Sequence, residues 1–360
     1  MSVTSGMVGD GFYNRNSAPQ MAAIEYVLPW LEAAVADMRL DDVPATVGLA
    51  DFGCSEGRNS IAAMKRLIAA CRRCTQRPLL TIHSDLPTND FSGVFAGLRP
   101  AGRSVFDDAS VFSAAVGGSM FGQLLPPGSV HFSMSFNALG FLDRRPLKRL
   151  PGYVLPNGPS ERAGVGQVSD DERATFAMQA DRDLQAFLHA RAAELVVGGK
   201  LLLEVFGASD ELRTCDGIYD ALNGAMLEVL AAGSIDQRQY EDFYQPVYFR
   251  TLDELVAPLA PVESRLAKLY RLDRAECYEV PVSFVEAFHA SGDVARYAAA
   301  FTNFFRAFTE PVLRSSFAGH PSLDRLIDDI YTCAERLVRD DPARYEFHYV
   351  SVAMLLTRRE

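Results

Sequence analysis

The sequence is poor in positive charge, in cysteine and in long apolar runs. Its 360 residues include 35 lysines and arginines against 46 aspartates and glutamates, so the formal net charge is −11. A nucleic-acid partner needs a basic surface, and this balance argues against one. No apolar run approaches membrane-spanning length, and no basic segment followed by an apolar one opens the chain. We therefore expect a cytoplasmic protein with no nucleic-acid or membrane partner.

The six cysteines are scattered along the chain and do not suggest a disulfide framework. Cys71 and Cys74 form a C-x-x-C pair, which could be a redox pair or half of a metal site. No second C-x-x-C and no H-x-x-x-H completes a metal-binding set, and arginines flank the pair at the end of a predicted helix. We therefore interpret the two cysteines as thiols on a helix.

A strand, a turn and a helix follow one another near residue 50. The apolar run Thr46–Ala50 predicts a buried strand, and apolar residues recur at helical spacing from Ile61 to Ile68. Between them lies the turn DFGCSEGRN, residues 51–59. Gly53 lets a ligand approach the backbone closely, and the following helix begins with free N–H groups. This arrangement suits a nucleotide-like ligand.

The composition of this turn narrows the choice of ligand. It contains neither G-x-G-x-x-G, which holds a pyrophosphate, nor G-K-[ST], which belongs to a phosphate-binding loop. Asp51 and Glu56 instead place negative charge beside the turn, which would repel phosphate and suits the ammonium and sulfonium groups of S-adenosylmethionine. The structural alternative is an ordinary loop in which Asp51 is a solvated turn residue.

Alternating strand and helix signals predict a doubly wound α/β sheet. Gly198 and Gly199 are predicted to close a helix over Asp183–Leu195. Blocks near residues 150–195, 207–255 and 283–340 have helical periodicity and interrupt the sheet, as a helical cap built from insertions would. Further strands are predicted at Leu79–Ser84, Val130–Ser135, Lys200–Phe206, Val262–Tyr270 and Glu346–Leu356.

This pattern divides the chain into four stretches. Residues 1–150 would hold the N-terminal segment and the donor-binding half of the α/β core, and residues 151–282 the rest of the core with cap insertions. Residues 283–345 would complete the helical cap, and residues 346–360 would supply the final core strand.

Polar residues follow the predicted strands at the edge where α/β sheets bind ligands. Asp85 follows the second strand, where its carboxylate can accept hydrogen bonds from both ribose hydroxyls of an adenosine; alternatively it caps the turn before the next proline. We interpret Asp90 as a structural turn residue. In a second glycine turn, residues 117–121, Ser119 can hydrogen-bond near the adenine and Met120 can pack against it.

Hydrogen-bonding side chains are concentrated in the N-terminal segment, ahead of a helix predicted to begin near Pro19. If this segment is ordered, those side chains need partners, which a ligand could supply. The alternative is a frayed terminus in which Ser17 caps the helix. The side chains concerned are Tyr13, Asn16, Ser17 and Gln20.

Five motifs in order resemble the SABATH methyltransferases, best known as plant enzymes that methylate small carboxylic acids such as salicylate, jasmonate and indole-acetate. The resemblance spans nearly the whole chain. Each motif alone is weak, and the five in order are specific. They are Tyr13…Asn16-Ser17…Gln20, residues 50–59 (ADFGCSEGRN), residues 84–91 (SDLPTNDF), residues 118–132 (from GSMFG to VHF) and residues 187–199 (FLHARAAELVVGG).

The resemblance implies a class I, Rossmann-like methyltransferase sheet with a helical cap, often paired as a homodimer. It implies that S-adenosylmethionine is the methyl donor and that a small carboxylic acid is the acceptor. Gln20 would donate its amide hydrogen to the acceptor carboxylate. The donor would be bound by Tyr13, Ser17, Asp51, Gly53, Asn59, Asp85, Leu86, Ser119 and Met120, and the acceptor by Gln20, Met134, Phe136, Asn137, Gly140 and Phe141.

The sequence departs from the family pattern at positions that bear on the acceptor. Relatives that methylate carboxylates carry a Trp that helps Gln hold the carboxylate, and the corresponding residue here is Phe141, which has no N–H group. Asn137, where the family often has Tyr, would take over part of that role. A cation site of some relatives is matched only loosely, by Glu241, Phe243 and Tyr244. We therefore predict no required metal.

The reaction itself needs no general base. A carboxylate with an ordinary pKa of about 4–5 is already ionised at neutral pH. Catalysis would come from aligning the acceptor oxygen with the sulfonium methyl and from excluding water. His83 and His131 could be proposed as bases, but both lie in apolar strands, and we interpret them as core histidines.

Aromatic residues indicate the character of the acceptor. The apolar residues of 132–141 and four phenylalanines on one predicted helix would line the acceptor pocket, although some of them belong to the core. An aromatic, terpenoid or fatty acid fits such a lining better than a polar metabolite. Methylation of a nitrogen or a phenolic oxygen is the alternative, and a partner protein that binds the donor without catalysis is another. The four phenylalanines are Phe301, Phe304, Phe305 and Phe308.

Overall fold

The structure, a computed structural model, describes residues 6–9, 11–38, 40, 46–98, 104–162, 165–261 and 263–359. Its core is a seven-stranded sheet in the order β3-β2-β1-β4-β5-β7-β6. The strands are β1 (Val47–Phe52), β2 (Leu79–Asp85), β3 (Val111–Gly117), β4 (Val130–Phe136), β5 (Leu195–Phe206), β6 (Tyr270–Val280) and β7 (Tyr349–Arg358). The helices of the described part are α1 (Phe12–Asn16), α2 (Ala18–Ala36), α3 (Arg58–Cys74), α4 (Phe91–Leu98), α5 (Asp170–Glu194), α6 (Ile218–Ala231), α7 (Gln237–Asp242), α8 (Leu252–Val256), α9 (Arg265–Leu269), α10 (Ser283–Ser291), α11 (Val294–Ser316) and α12 (Leu323–Asp340).

The strand order reverses at β1, which pairs in parallel with both β2 and β4. Strands β2 and β3 continue to one side and β5 to the other, all parallel, while β7 runs antiparallel between β5 and β6. In such sheets the ligand crevice lies beyond the carboxyl ends of the strands at the point of reversal. The ends of β1 and β4 therefore mark where a ligand is expected.

The buried hydrophobic residues of β1 belong to two separate hydrophobic clusters. Val47 and Leu49 of β1 share a buried cluster with residues of α2 and α3, whereas Ala50 and Phe52 share another with residues of α5. Side chains of a strand alternate between the two faces of a sheet. Helices thus cover both faces, and the predicted doubly wound α/β sheet is confirmed.

A helical cap is formed by α6, α10, α11 and α12. Helix α12 packs on both α6 and α11, and α10 packs on α11. These helices come from the blocks that the sequence predicts to be helical insertions. Phe301 and Phe305 of α11 are fully buried in the core, so part of this aromatic set is structural, as expected. None of the described helices is long and apolar enough to cross a membrane.

Helix α2 packs against the sheet edge that β6 forms. Trp30 of α2, the chain's one tryptophan, is buried beneath Arg274 of β6, whose guanidinium carbon lies 4.0 Å from the ring centroid. Nearby, Tyr26 stacks on Tyr278 with ring centroids 3.9 Å apart. Cation–π and stacking contacts of this kind add to the burial of the rings. These contacts hold α2 against β6.

The predicted strand over Val262–Tyr270 is wrong. Residues Arg265–Leu269 form α9, and strand β6 begins only at Tyr270. Ser264 caps the helix, because its side chain accepts a hydrogen bond from the N–H of Ala267. Val262 lies outside the described residues.

The prediction that Gly198 and Gly199 close a helix is also wrong. Helix α5 ends at Glu194 and β5 begins at Leu195, so both glycines lie within the strand. Gly198 has a φ of +79°, which a strand residue with a side chain rarely adopts. Strand β3 at the sheet edge has no counterpart among the predicted strands.

Candidate active site

A large cleft opens beyond the carboxyl ends of β1, β2 and β4. It encloses about 1120 Å³ of space free of protein atoms, part of it open to solvent. A small pocket of about 340 Å³ adjoins it at the start of α3. The two meet at five shared lining residues, which are Tyr13, Gly53, Ser55, Phe136 and Asn137.

The turn between β1 and α3 is tied to the end of β2. The N–H groups of Gly53 and Cys54 donate to the carbonyl of Ser84 at 2.8 and 3.0 Å. Gly53 has a φ of +98°, and a Cβ there would lie 2.3 Å from the Cβ of Ala138. Only glycine fits this position, because any other residue would be strained at this φ and its Cβ would clash with Ala138.

Asp85 ends β2 and lines the large cleft. Its Oδ2 accepts from the N–H of Ser55 at 2.7 Å, and its Oδ1 accepts from the N–H of Leu86 at 2.7 Å. Burial raises the pKa of this carboxyl group, and the two backbone hydrogen bonds oppose the shift. Each carboxylate oxygen keeps a free lone pair. Asp85 therefore caps its own turn and can still accept hydrogen bonds from a ligand.

Asp51 lines the small pocket and has an unsatisfied oxygen. The side chain is 2% exposed, and its Oδ1 has no hydrogen-bond partner among the described residues. Burial raises the pKa of Asp51 to about 7, and neighbouring Asp85 adds to the shift. Buried polar atoms normally have partners, and a cation would favour the ionised form. Asp51 is not the solvated turn residue of the structural alternative.

Glu56 does not face the ligand crevice as an unpaired charge; it anchors the N-terminal segment. Its Oε1 accepts from the N–H of Gly11 at 2.8 Å, and its Oε2 accepts from the N–H of Asn14 at 3.2 Å. Arg58 adds a hydrogen bond to the carbonyl of Asn14. These contacts hold α1 over the first turn, which brings Tyr13 to both pockets.

Ser17 lies between α1 and α2 and is 1% exposed. Its hydroxyl makes no capping hydrogen bond, and its Oγ has no partner among the described residues. The frayed-terminus alternative, in which Ser17 caps the helix, is therefore wrong for this segment. Ser17 is not among the described residues that line either space, so the donor contact expected of it stays a prediction.

The remaining predicted donor residues lie on the walls of these two spaces. Asn59 lines the small pocket, and Leu86, Ser119 and Met120 line the large cleft. The Ser119 hydroxyl donates to Asp143 Oδ1 at 3.4 Å. The sheet thus brings together groups that lie far apart in the chain. Asp90 has the structural role expected of it, because its Oδ1 accepts from the first N–H groups of α4.

Gln20 presents its amide to the large cleft from α2. It is 5% exposed, and its Oε1 has no hydrogen-bond partner among the described residues. Phe136 and Phe141 line the same cleft, as do Phe304 and Phe308 of α11. A polar amide in an otherwise apolar wall can orient a polar ligand group.

A row of aromatic rings forms one wall of the large cleft. Of these rings, only Phe141 was predicted from the sequence to line the acceptor site. The ring centroids of Phe141 and Phe206 lie 6.1 Å apart, those of Phe206 and Phe249 4.7 Å apart, and those of Phe249 and Tyr219 5.8 Å apart. Tyr349 of β7 lines the cleft as well. Phe206 could have been found, since it ends a predicted strand. Tyr219 and Phe249 lie in a block predicted to be helical, and that pattern does not indicate which of its residues line a cleft.

Two predicted acceptor residues do not reach the cleft wall. Met134 is fully buried in the main hydrophobic cluster. Gly140 packs on the ring of Phe206, since a Cβ there would lie 2.1 Å from the Phe206 Cζ. Gly140 therefore supports the aromatic wall from behind.

Asn137 joins the two spaces and is held from three directions. Its φ is +57°, and its N–H donates to the carbonyl of Glu204 at 2.8 Å. The side-chain Nδ2 donates to Glu204 Oε2 at 3.0 Å, and Oδ1 accepts from the Tyr349 hydroxyl at 2.9 Å. Burial raises the pKa of Glu204 to about 8. One amide hydrogen of Asn137 is left for a ligand.

His83, His131 and the residues of the loosely matched cation site are not among the described residues that line the cleft or the small pocket. His83 and His131 are buried, and burial lowers the pKa of each, for His83 to about 4. Glu241 pairs with Arg149 at 3.7 Å, next to buried Tyr244. No group of three or more His, Cys, Asp or Glu in the described part of the chain is arranged to hold a metal ion. Cys71 and Cys74 lie on α3, as expected.

Both spaces together fit a cationic adenosyl ligand. Buried Asp51 has an unpartnered oxygen in the small pocket, and Asp85 has free lone pairs at a strand end in the large cleft. Among the described residues that line the large cleft there is no lysine, arginine or histidine. In the large cleft a phosphate would meet Asp85 without a cation, whereas a sulfonium group would be attracted. In the small pocket Arg58 is part of the lining together with Asp51, and its guanidinium donates to the carbonyl of Asn14.

Known proteins resemble this chain over its whole length. A family model described as SAM-dependent carboxyl methyltransferase matches residues 2–359. Salicylate carboxymethyltransferase of Clarkia breweri is 27% identical over 366 residues, which cover 98% of this chain and 97% of that protein. A 3,7-dimethylxanthine N-methyltransferase of Camellia sinensis var. assamica is 29% identical over 342 residues, covering 90% and 88%. A solved loganic acid methyltransferase with SAH has the same fold, with a TM-score of 0.79 and 22% identity over 99% of both chains.

Proposed function

Because the chain belongs to the SAM-dependent carboxyl methyltransferases, the SABATH family, we propose that it methylates the carboxylate of a small apolar acid that is aromatic, terpenoid or fatty. The observation that carries this proposal is the aromatic wall of Phe141, Phe206, Phe249 and Tyr219, which lines the same cleft as the amide of Gln20. Rings of this kind bind apolar groups and exclude polar ones that lack a partner.

The donor half of the proposal assigns each polar group a partner. S-adenosylmethionine supplies an electrophilic methyl group on a sulfonium when it is bound. Asp85 would accept hydrogen bonds from the ribose hydroxyls, and Asp51 would balance positive charge from the small pocket. Asn59 would add a polar contact there, and Ser119 and Met120 would contact the adenine. Ser17, at the start of α2, would add its hydroxyl only if the bound donor reaches it. Tyr13, Gly53 and Leu86 would complete the donor site.

The acceptor half of the proposal needs alignment and a dry site. Gln20 would donate its amide hydrogen to the acid, and Asn137 would offer its remaining amide hydrogen. Tyr13, held above the first turn by α1, would help to exclude water. A carboxylate is ionised at neutral pH, so no proton has to be moved. Positioning and water exclusion then account for the rate.

Methylation of a nitrogen or a phenolic oxygen is the second candidate, and two observations favour it. Phe141 lacks the N–H of the indole in carboxylate-methylating relatives, and no basic residue lines the described cleft. A neutral acceptor would bind in such a cleft without losing the solvation of a charge. A relative at 29% identity is an N-methyltransferase.

Incubation of the purified protein with methyl-labelled S-adenosylmethionine distinguishes the candidates. The acceptor panel contains aromatic, terpenoid and fatty acids, each paired with its carboxamide as a matched control. We expect label on the acids and not on the amides, and we expect mild alkali to release it, because methyl esters hydrolyse readily. Alkali-stable label would contradict carboxyl methylation and support the second candidate. Donor binding by calorimetry without label on any acceptor would support a non-catalytic partner.

A further inference from the structure

A fully buried ion pair lies in α5, behind the large cleft. Arg191 and Glu194 are 0% and 1% exposed, with Nε and Oε2 2.7 Å apart. A second bond joins Nη2 to Oε1 at 3.0 Å. Desolvation costs about as much free energy as such a pair gains, so stability alone does not account for it. Its other contacts indicate a different role.

Arg191 contacts both turns of the donor site. Its Nη1 donates to the carbonyl of Met120 at 2.9 Å, and its Nη2 donates to the carbonyl of Gly122 at 2.8 Å. The guanidinium carbon lies 3.7 Å from the ring centroid of Phe52. Phe52 is the last residue of β1 and precedes Gly53 of the first turn. One side chain therefore joins the first turn to the second glycine turn.

Glu194 binds the backbone of the residues that follow the second glycine turn. Its Oε1 accepts from the N–H of Leu124 at 2.6 Å and from the N–H of Leu125 at 2.9 Å. Together the pair satisfies two carbonyl and two N–H groups over residues 120–125. Buried backbone groups without partners would otherwise cost free energy. The pair thus determines how this turn lies against β1.

We propose that Arg191 and Glu194 are positioning residues that fix the spacing between the two turns and thereby set the affinity for the methyl donor. Neither side chain lines the cleft among the described residues. They act through Met120, which lines it, and through Phe52. The proposal concerns the donor half of the site, so it holds whichever acceptor the protein uses.

Arg191→Lys tests the proposal in a calorimetric titration with S-adenosylhomocysteine. Lysine keeps the charge, but its three N–H groups on one nitrogen cannot replace the four hydrogen bonds of the guanidinium or its flat contact with a ring. We expect the dissociation constant to rise about tenfold, as for the loss of one or two buried hydrogen bonds. The thermal unfolding midpoint is measured on the same samples.

Arg250→Lys is the matched control. Arg250 is also buried, and its guanidinium donates to the carbonyls of Leu139 and Ala180, both at 2.6 Å. We expect a comparable loss of thermal stability with the dissociation constant of S-adenosylhomocysteine changed less than twofold. If Arg250→Lys weakens binding as much as Arg191→Lys, general destabilisation explains both and the proposal is overturned.

Glu194→Gln is the second variant, because it preserves size and one acceptor oxygen. We expect about a threefold rise in the same dissociation constant, since the N–H groups of Leu124 and Leu125, which both bind Oε1, lose a charged partner. Folded Arg191→Lys and Glu194→Gln proteins that bind S-adenosylhomocysteine like the wild type would refute the proposal. Failure of both variants to fold would assign the pair to folding and refute it too. A failed acceptor panel with intact S-adenosylhomocysteine binding would contradict the proposed function alone.

Discussion

Gln20 is a buried amide with an unpartnered oxygen at the cleft wall. We expect Gln20→Ala to raise the acceptor KM at least tenfold, because a hydrogen bond to a charged group contributes about 1.5–3 kcal/mol. The dissociation constant of S-adenosylhomocysteine should stay within twofold of the wild-type value. Steady-state kinetics and calorimetry measure the two quantities.

Gln245→Ala is the control for this substitution. Gln245 is fully buried, its Nε2 donates to the carbonyl of Thr309 at 3.1 Å, and it does not line the described cleft. Its replacement should lower the thermal midpoint and leave the acceptor KM unchanged. Equal losses of donor and acceptor binding in Gln20→Ala would contradict the role assigned to Gln20.

Asp51 should make donor binding depend on pH. Burial raises its pKa to about 7, so the carboxyl group of the free protein is largely protonated below that pH. A cationic donor favours the carboxylate, and binding must therefore release a proton. We expect the dissociation constant of S-adenosylmethionine to fall as the pH rises from about 6 to about 8.

Asp51→Asn should weaken this dependence, because the amide cannot ionise. Asp90→Asn is the matched control, since Asp90 caps α4 outside the small pocket. The two variants and the wild type share every other titrating group, including those of the donor. The same pH slope in Asp51→Asn as in the wild type would show that Asp51 does not face the positive charge.

Residues that end predicted strands could be found from the sequence, and others could not. Asp51 and Asp85 lie at the ends of strands that the apolar pattern predicts, and in a parallel sheet the strand ends line the crevice. Phe249 and Tyr219 reach the same cleft through contacts between distant segments, which no local pattern encodes. Glu56 was expected to face the ligand; its partners are backbone N–H groups 45 and 42 residues away.

Helix α1 depends on Glu56 for its position over the first turn. Replacing Glu56 by Gln removes the charge from hydrogen bonds to the N–H groups of Gly11 and Asn14. Such charge-assisted bonds are about twice as strong as neutral ones. We expect faster hydrogen exchange at these two amides and little change in the thermal midpoint, because the opening is local.

Glu25→Gln is the control for this experiment, since Glu25 is exposed on α2. It should leave exchange at Gly11 and Asn14 unchanged. Glu56→Gln should also raise the acceptor KM, because α1 carries Tyr13 to the cleft. Unchanged exchange at both amides in Glu56→Gln would contradict the anchoring role.

Elements were predictable where they are long and regular. Helix α3 follows its apolar period, whereas α9 spans five residues, too few to distinguish a period of 3.6 from one of 2. Gly198 and Gly199 have the composition of a helix terminus, but β5 runs through them, and its register against β4 shifts between Leu195 and Lys200. Strand β3 contains serine and alanines at a sheet edge and gives a weak pattern.

The stability of the whole molecule should vary with the ionisation of Glu204. Burial raises its pKa from the ordinary 4.5 to about 8, so the folded protein keeps a proton that the unfolded chain releases. The contribution of Glu204 to the free energy of unfolding must therefore fall as the pH rises from about 4.5 to about 8. We expect Glu204→Gln to gain stability relative to the wild type over that range.

Urea unfolding at pH 5, 6.5 and 8 measures the difference between the two proteins, and Glu25→Gln is the control. Ser351 and Asn137 donate to Glu204. Burial, and with it the charge of Glu204, raises the pKa values of Tyr278, Tyr349 and Tyr13. These groups are common to both proteins. A difference in unfolding free energy that does not change with pH would contradict the prediction.

The fold class was predictable at the scale of the whole chain, because alternating strands and helices leave few topologies. The acceptor cleft was not, since its lining extends from Gln20 to Tyr349. Met134 and Phe136 lie on the same face of β4, and only Phe136, the last residue of the strand, lines the cleft; that distinction depends on where the strand ends. The homodimer and the cytoplasmic location stay predictions.

Trp30, buried under Arg274 where α2 crosses β6, is the chain's one tryptophan and is not among the residues that line the cleft. The tryptophan fluorescence of the protein therefore monitors a single contact, the packing of α2 on the sheet edge. Its emission should shift when that helix detaches and stay constant while ligands enter and leave, which makes it an optical probe of unfolding that titrations do not disturb.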